Sequence, residues 1–72
     1  MNKKITKLLQ LGRKIYFLRR KNGYSQNTFA EMLEISREHL AKIETAKRCV
    51  SLGLLIDIAE KLNVKVSDLI EF

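Results

Sequence analysis

Leu8, Leu11, Ile15 and Leu18 recur at steps of three and four, the spacing that lays one apolar stripe along a helix. The spacing predicts a first helix from about Thr6 to Lys21, with Arg13, Lys14 and Arg20 off the stripe. Asn22-Gly23 ends it, because glycine tolerates the left-handed conformation common at helix C-termini. Ser25 offers an N-cap hydroxyl to a short second helix, Gln26 to Leu33, with Phe29, Ala30 and Leu33 inward. After Glu34-Ile35, Ser36 caps a third helix reaching about Thr45, whose inward residues are Leu40 and Ile43. Thr45 to Val50 lacks helical periodicity and reads as a loop. Ser51 then opens a fourth helix with Leu52, Leu55, Ile58, Ala59 and Leu62 inward, and Asn63 supplies a left-handed stop. Val64 and Val66 re-enter the core, and Ser67-Asp68 starts a short last helix carrying Leu69, Ile70 and Phe72.

This pattern predicts an all-α, compact five-helix bundle in which residues 1–72 form a single domain. A chain of 72 residues holds one core and has no room for a separate catalytic lobe. The absence of proline and a hydrophobic content of 46% suit short packed helices. The net charge of +6 points to a polyanionic partner, since clustered cations displace condensed counterions from phosphates. Its distribution is uneven: Met1 to Tyr24 carries Lys3, Lys4, Lys7, Arg13, Lys14, Arg19, Arg20 and Lys21 with no acid, and the rest is close to neutral. The lone Cys49 cannot form an internal disulfide, which fits a reducing cytoplasm, and it is expected to be a half-buried loop thiol. Gln10, Gly12 and Asp57 interrupt the apolar runs, so neither a signal peptide nor a membrane span is expected.

The segment S-Q-N-T-F-A-E-M-L-E-I-S-R-E-H-L-A-K-I-E, Ser25 to Glu44, resembles the helix-turn-helix of the phage-repressor and Cro-like family, the Xre type. The resemblance extends upstream from Leu11 to Tyr24 and downstream from Lys47 to Ile70. It implies a lambda-repressor-like fold, a helix-turn-helix core over residues 25–45, and a cytoplasmic DNA-binding regulator of transcription, in its usual form a repressor or autoregulator. It also implies an ion pair between Arg19 and Glu44, expected on the surface, and a phosphate-gripping role for Gln26. Two departures stand out. Glu34 occupies a turn position where the family usually has glycine, so a slightly reshaped turn is expected; Ala46 and Val50 replace the glycine and proline that members often carry in the following loop.

The residues also carry an argument of their own. Ala30 is small where two helices joined by a short turn need close backbone approach. Leu40 and Ile43, turned inward, leave Arg37, Glu38, Ala41 and Lys42 outward, with His39 on the flank. A major groove accepts one helix, and residues near its N-terminus reach base edges. Arg37, Glu38 and Lys42 are therefore the base-reading candidates: Arg37 and Lys42 toward guanine, Glu38 toward the cytosine amino group. Ser36, His39, Lys47 and Arg48 join Gln26 as candidates for the DNA backbone. Leu54, Ile56, Ile70 and Phe72 lie off the main stripe and read as a homodimer interface, which would let so small a domain recognise a pseudo-palindromic double-stranded operator.

Other classes fit less well. One His, one Cys and scattered carboxylates offer no nucleophile–base–orienter set, so no enzyme, metal, cofactor or small-molecule effector is expected. An RNA platform needs exposed aromatics, whereas Tyr16, Phe17, Tyr24 and Phe29 are expected to be at least partly buried. The principal alternative is an antitoxin-like interaction module whose main partner is another protein.

Overall fold

The computed structural model describes residues 3–71. Five helices follow one another: α1 Lys3–Lys21, α2 Gln26–Leu33, α3 Arg37–Glu44, α4 Leu52–Leu62 and α5 Val66–Leu69. Their apolar stripes converge on one core in which Ile15, Phe29, Leu40, Ile58 and Leu69 lose essentially all contact with solvent. α3 packs against both α1 and α2, while α4 lies against α1, α2 and α5. The scaffold thus grips α3 from two sides and leaves its remaining side outward.

Serine starts three of these helices by the same chemistry. The hydroxyls of Ser25, Ser36 and Ser51 accept from the backbone N–H groups of Thr28, His39 and Leu54 at 3.0, 3.0 and 3.1 Å, satisfying donors that the first helical turn leaves without partners. The last helix begins earlier than expected. Its cap position is Lys65, and Asp68 reaches back to accept from the Lys65 N–H at 2.9 Å. Ser67-Asp68 therefore lies inside α5; the carboxylate, three residues on, organises the start.

Helices end by a second recurring device. Gly23, Glu34, Ala46 and Asn63 all adopt positive φ, between 57° and 80°. At each, paired bonds close the last turn, as where Glu34 N–H donates to Glu31 O and Ile35 N–H to Ala30 O, the Schellman arrangement. Glu34 stands at the position where the family usually has glycine. It takes up the left-handed conformation at φ 57°, ψ 40°, a region that costs a side-chain-bearing residue about 1 to 2 kcal/mol. Glu34→Gly is accordingly expected to stabilise the domain by ~0.5 to 1 kcal/mol, after allowance for the greater freedom of glycine in the unfolded chain. Thermal unfolding checks this, and an unchanged or lower midpoint contradicts it.

Several side chains depart from the periodic expectation. Leu52 is 69% exposed, because it stands at the very start of α4 and overhangs the stripe that begins in earnest at Leu55. Leu54 is half-buried against the core, so it contributes little to a surface patch, whereas Ile56 and Ile70 are exposed. Phe72 lies outside the described residues. Tyr16 and Phe17 are exposed; both sit beside Ile15 on α1 but a hundred degrees or more around the helix. Cys49 is exposed rather than half-buried. α1 starts at Lys3, about one turn ahead of the expected position, and its Lys14 ammonium donates to the carbonyls of Asp68 and Glu71 at 3.2 and 2.6 Å. That lysine thereby ties the end of α5 to α1 and complements a helix C-terminus.

Candidate nucleic-acid interface

Helix α3 presents two unlike sides. Leu40 (0% exposed) and Ile43 (3%) enter the core, while Arg37 and Glu38 are exposed and Ala41 and Lys42 are half-buried at the edge. The outward side is not covered by the body of the molecule. Glu38 and Lys42, one helical turn apart, pair at 3.1 Å. A surface pair of this kind is worth only ~0.3 to 0.5 kcal/mol, so the two groups are held near one another yet yield readily to stronger partners. Ser36, exposed, caps the helix; His39 is half-buried on the flank. Lys47 and Arg48 follow α3 directly and are exposed, at the point where Lys47 N–H donates to Lys42 O at 2.8 Å.

The end of α3 is fixed by a buried polar cluster. Arg19 Nε donates to Glu44 Oε2 at 2.7 Å and Nη2 to Oε1 at 3.2 Å, while Nη1 donates to the Tyr24 carbonyl at 2.8 Å. Both side chains are almost fully withdrawn from water. The pair is thus buried, not superficial as the sequence led us to expect, because Tyr24 and the start of α2 close over it. A third donor completes the carboxylate: Gln26 Nε2 binds Glu44 Oε1 at 3.0 Å. Among the described residues no buried side-chain polar atom lacks a partner. Tyr24 in turn stacks on Phe29, with ring centroids 5.7 Å apart.

Two features of this region carry no periodic signal. Gly12 is buried in the middle of α1, where an added Cβ would lie 2.5 Å from the carbonyl oxygen of Glu44 and 2.8 Å from that of Ile43. It is the notch into which the end of α3 fits. Beside the cluster, an open groove of about 690 Å³ runs between the end of α1 and the start of α2, its lining including Tyr16, Arg20, Ser25 and Gln26. The Arg19 and Arg20 guanidinium carbons lie 5.2 and 5.8 Å from the Tyr16 ring centroid; Arg19 is buried and paired, and the exposed Arg20 is the cation at the rim of this groove.

Residues 15–69 match the helix-turn-helix family. The chain belongs to that family. The phage-repressor and Cro-like resemblance of the sequence therefore holds, and the domain is of the DNA-binding helix-turn-helix type found in regulators of transcription. It is 40% identical over 53 residues to an uncharacterized helix-turn-helix-type transcriptional regulator of Rickettsia conorii, covering 74% of this chain and 42% of the relative. It is 38% identical over 58 residues to the regulator YazB of Bacillus subtilis, covering 81% of this chain and 84% of YazB. The chain thus spans about two fifths of the Rickettsia protein. Among solved structures, the restriction-modification controller protein C.AhdI of Aeromonas hydrophila superposes with a TM-score of 0.82 at 29% identity, over 86% of this chain and 94% of that one. The clp gene regulator ClgR of Corynebacterium glutamicum gives 0.83 at 25% identity, over 88% and 67%. Among the described residues, no helix of this helix-turn-helix domain is long and apolar enough to cross a membrane.

Proposed function

We propose that this helix-turn-helix domain is a sequence-specific regulator of transcription that binds double-stranded DNA by laying α3 in the major groove. The observation that carries the reading is the anchoring of α3 through Leu40 and Ile43 with Arg37, Glu38 and Lys42 left on the open side. Those three supply the donor and acceptor types that distinguish guanine and cytosine edges. Ser36, His39, Lys47 and Arg48 flank them as contacts to the sugar–phosphate backbone, together with the N–H groups that open α2.

The active form is a homodimer on a pseudo-palindromic operator, with half-sites about one helical turn apart, ~34 Å. Exposed Ile56 and Ile70 furnish apolar surface for the contact, and Leu52, one turn from Ile56, widens it. The dimer acts as a repressor or autoregulator; control of transcription in the broad sense agrees with the names of C.AhdI and ClgR, a controller and a gene regulator. The same apolar surface favours a second reading, a module whose main partner is another protein. Selection of binding sites from random duplexes separates the two: a palindromic consensus supports the DNA reading, while no enrichment, with one stoichiometric protein recovered in a pull-down, supports the other.

On the selected duplex, Lys42→Ala is expected to relax base preference at one position per half-site and to cost ~1 to 3 kcal/mol. Uniform weakening on every sequence would show instead that Lys42 touches only phosphate.

A further inference from the structure

The resemblance to phage repressors gives the side chain of Gln26 to a DNA phosphate, but its geometry points inward. Gln26 is the first residue of α2 and Glu44 the last of α3, and the Gln26 amide donates to Glu44 Oε1 at 3.0 Å, across 18 positions of chain. The same oxygen accepts from Arg19 Nη2 on α1. One carboxylate, 3% exposed, therefore joins the end of α1, the start of α2 and the end of α3.

From this geometry we infer that Gln26 is a positioning residue: its amide sets the angle at which α3 meets DNA by binding Glu44, and it is not a phosphate ligand. An ionised carboxylate only accepts, so the amide must offer its NH₂ to Glu44. A Gln26 that turned out to a phosphate would take the shorter of the two bonds from a buried charged oxygen, leaving it only the 3.2 Å bond from Arg19, and such a loss is costly. The phosphate at this end of α2 is left to the backbone N–H groups ahead of Thr28, whose own N–H is taken by Ser25 Oγ.

The inference rests on the DNA reading of α3, and the test separates the two. Binding of the intact chain to its selected duplex is compared with binding to a scrambled duplex; a wild-type protein that distinguishes no duplex would remove the DNA reading itself. Given discrimination, Gln26→Ala is expected to lower affinity for the selected duplex about tenfold while leaving the scrambled duplex unaffected, because only correct seating of α3 is lost. Equal weakening on both duplexes would restore the phosphate role and overturn the inference. The exchange Gln26→Glu with Glu44→Gln is the sharper arm. Gln26→Glu alone sets two carboxylates against one guanidinium and is expected to abolish discrimination. The double variant again pairs one amide with one carboxylate, and is expected to recover most of the discrimination. A carboxylate that merely repelled phosphate would do so whatever stood at position 44, so failure to recover, in a double variant that melts as a folded domain, contradicts the proposal. Should the exchange fail to fold, Gln26→Met, which keeps the stem and removes the amide, gives the same two-duplex comparison.

Discussion

Glu44→Ala is expected to destabilise the domain by ~3 to 5 kcal/mol, the usual consequence of leaving one member of a buried ion pair uncompensated. The carboxylate accepts three bonds, two from Arg19 and one from Gln26, and its removal strands a guanidinium that has almost no access to water. A domain of this size has only about 4 to 11 kcal/mol in total. The thermal midpoint is therefore expected to fall by some tens of degrees. Joint replacement, Arg19→Met with Glu44→Leu, is expected to cost less than Glu44→Ala alone, since removing both charges abolishes the desolvation penalty along with the attraction. The ordering of the two midpoints is the decisive measurement. Were Glu44→Ala to melt like the wild type, the cluster would have no structural weight. On this view the pair contributes orientation more than net stability: what the double replacement loses is the register between α1 and the end of α3.

The second large effect is expected at Gly12. An alanine there would place its methyl carbon 2.5 Å from Glu44 O and 2.8 Å from Glu44 C, and backbone atoms cannot swing aside as a side chain can. Alanine ordinarily favours a helix interior over glycine by up to ~1 kcal/mol. Here the overlap reverses the sign, with a net loss of ~1 to 3 kcal/mol and an outward shift of α3. Denaturant unfolding tests the first part, and a stabilised Gly12→Ala would mean that α1 and α3 do not meet so closely in solution.

These two residues also show where reading the sequence stops. Local rules recover the helices because their causes are local: Leu11 and Ile15 announce a face, Ser25, Ser36 and Ser51 announce starts, and Gly23 and Asn63 announce stops. Leu40 and Ile43 likewise determine which side of α3 is left outward. Gly12, by contrast, reads in one dimension as an interruption of an apolar run; its purpose lies in a helix that begins some two dozen residues later. The Gln26–Glu44 bond and the grip of Lys14 on the carbonyls of Asp68 and Glu71 are of the same kind, joining positions that no periodicity relates. Burial of Arg19 could not be read either, since charge predicts exposure unless the partner is known to be enclosed as well. Glu34 illustrates a third limit. Propensity disfavours glutamate at positive φ, yet the tight turn between α2 and α3 imposes it, with core packing on both flanks supplying the compensation.

Arg37, Glu38 and Lys42 project from a helix whose footing lies wholly in other residues: Leu40 and Ile43 in the core, Glu44 in the polar cluster. What the domain displays and what keeps it folded are thereby written in separate alphabets along the same two turns of chain. If, as proposed, the displayed letters read DNA, exchanging them would redirect the protein to a new address without unsettling the frame, and target could diverge long before shape.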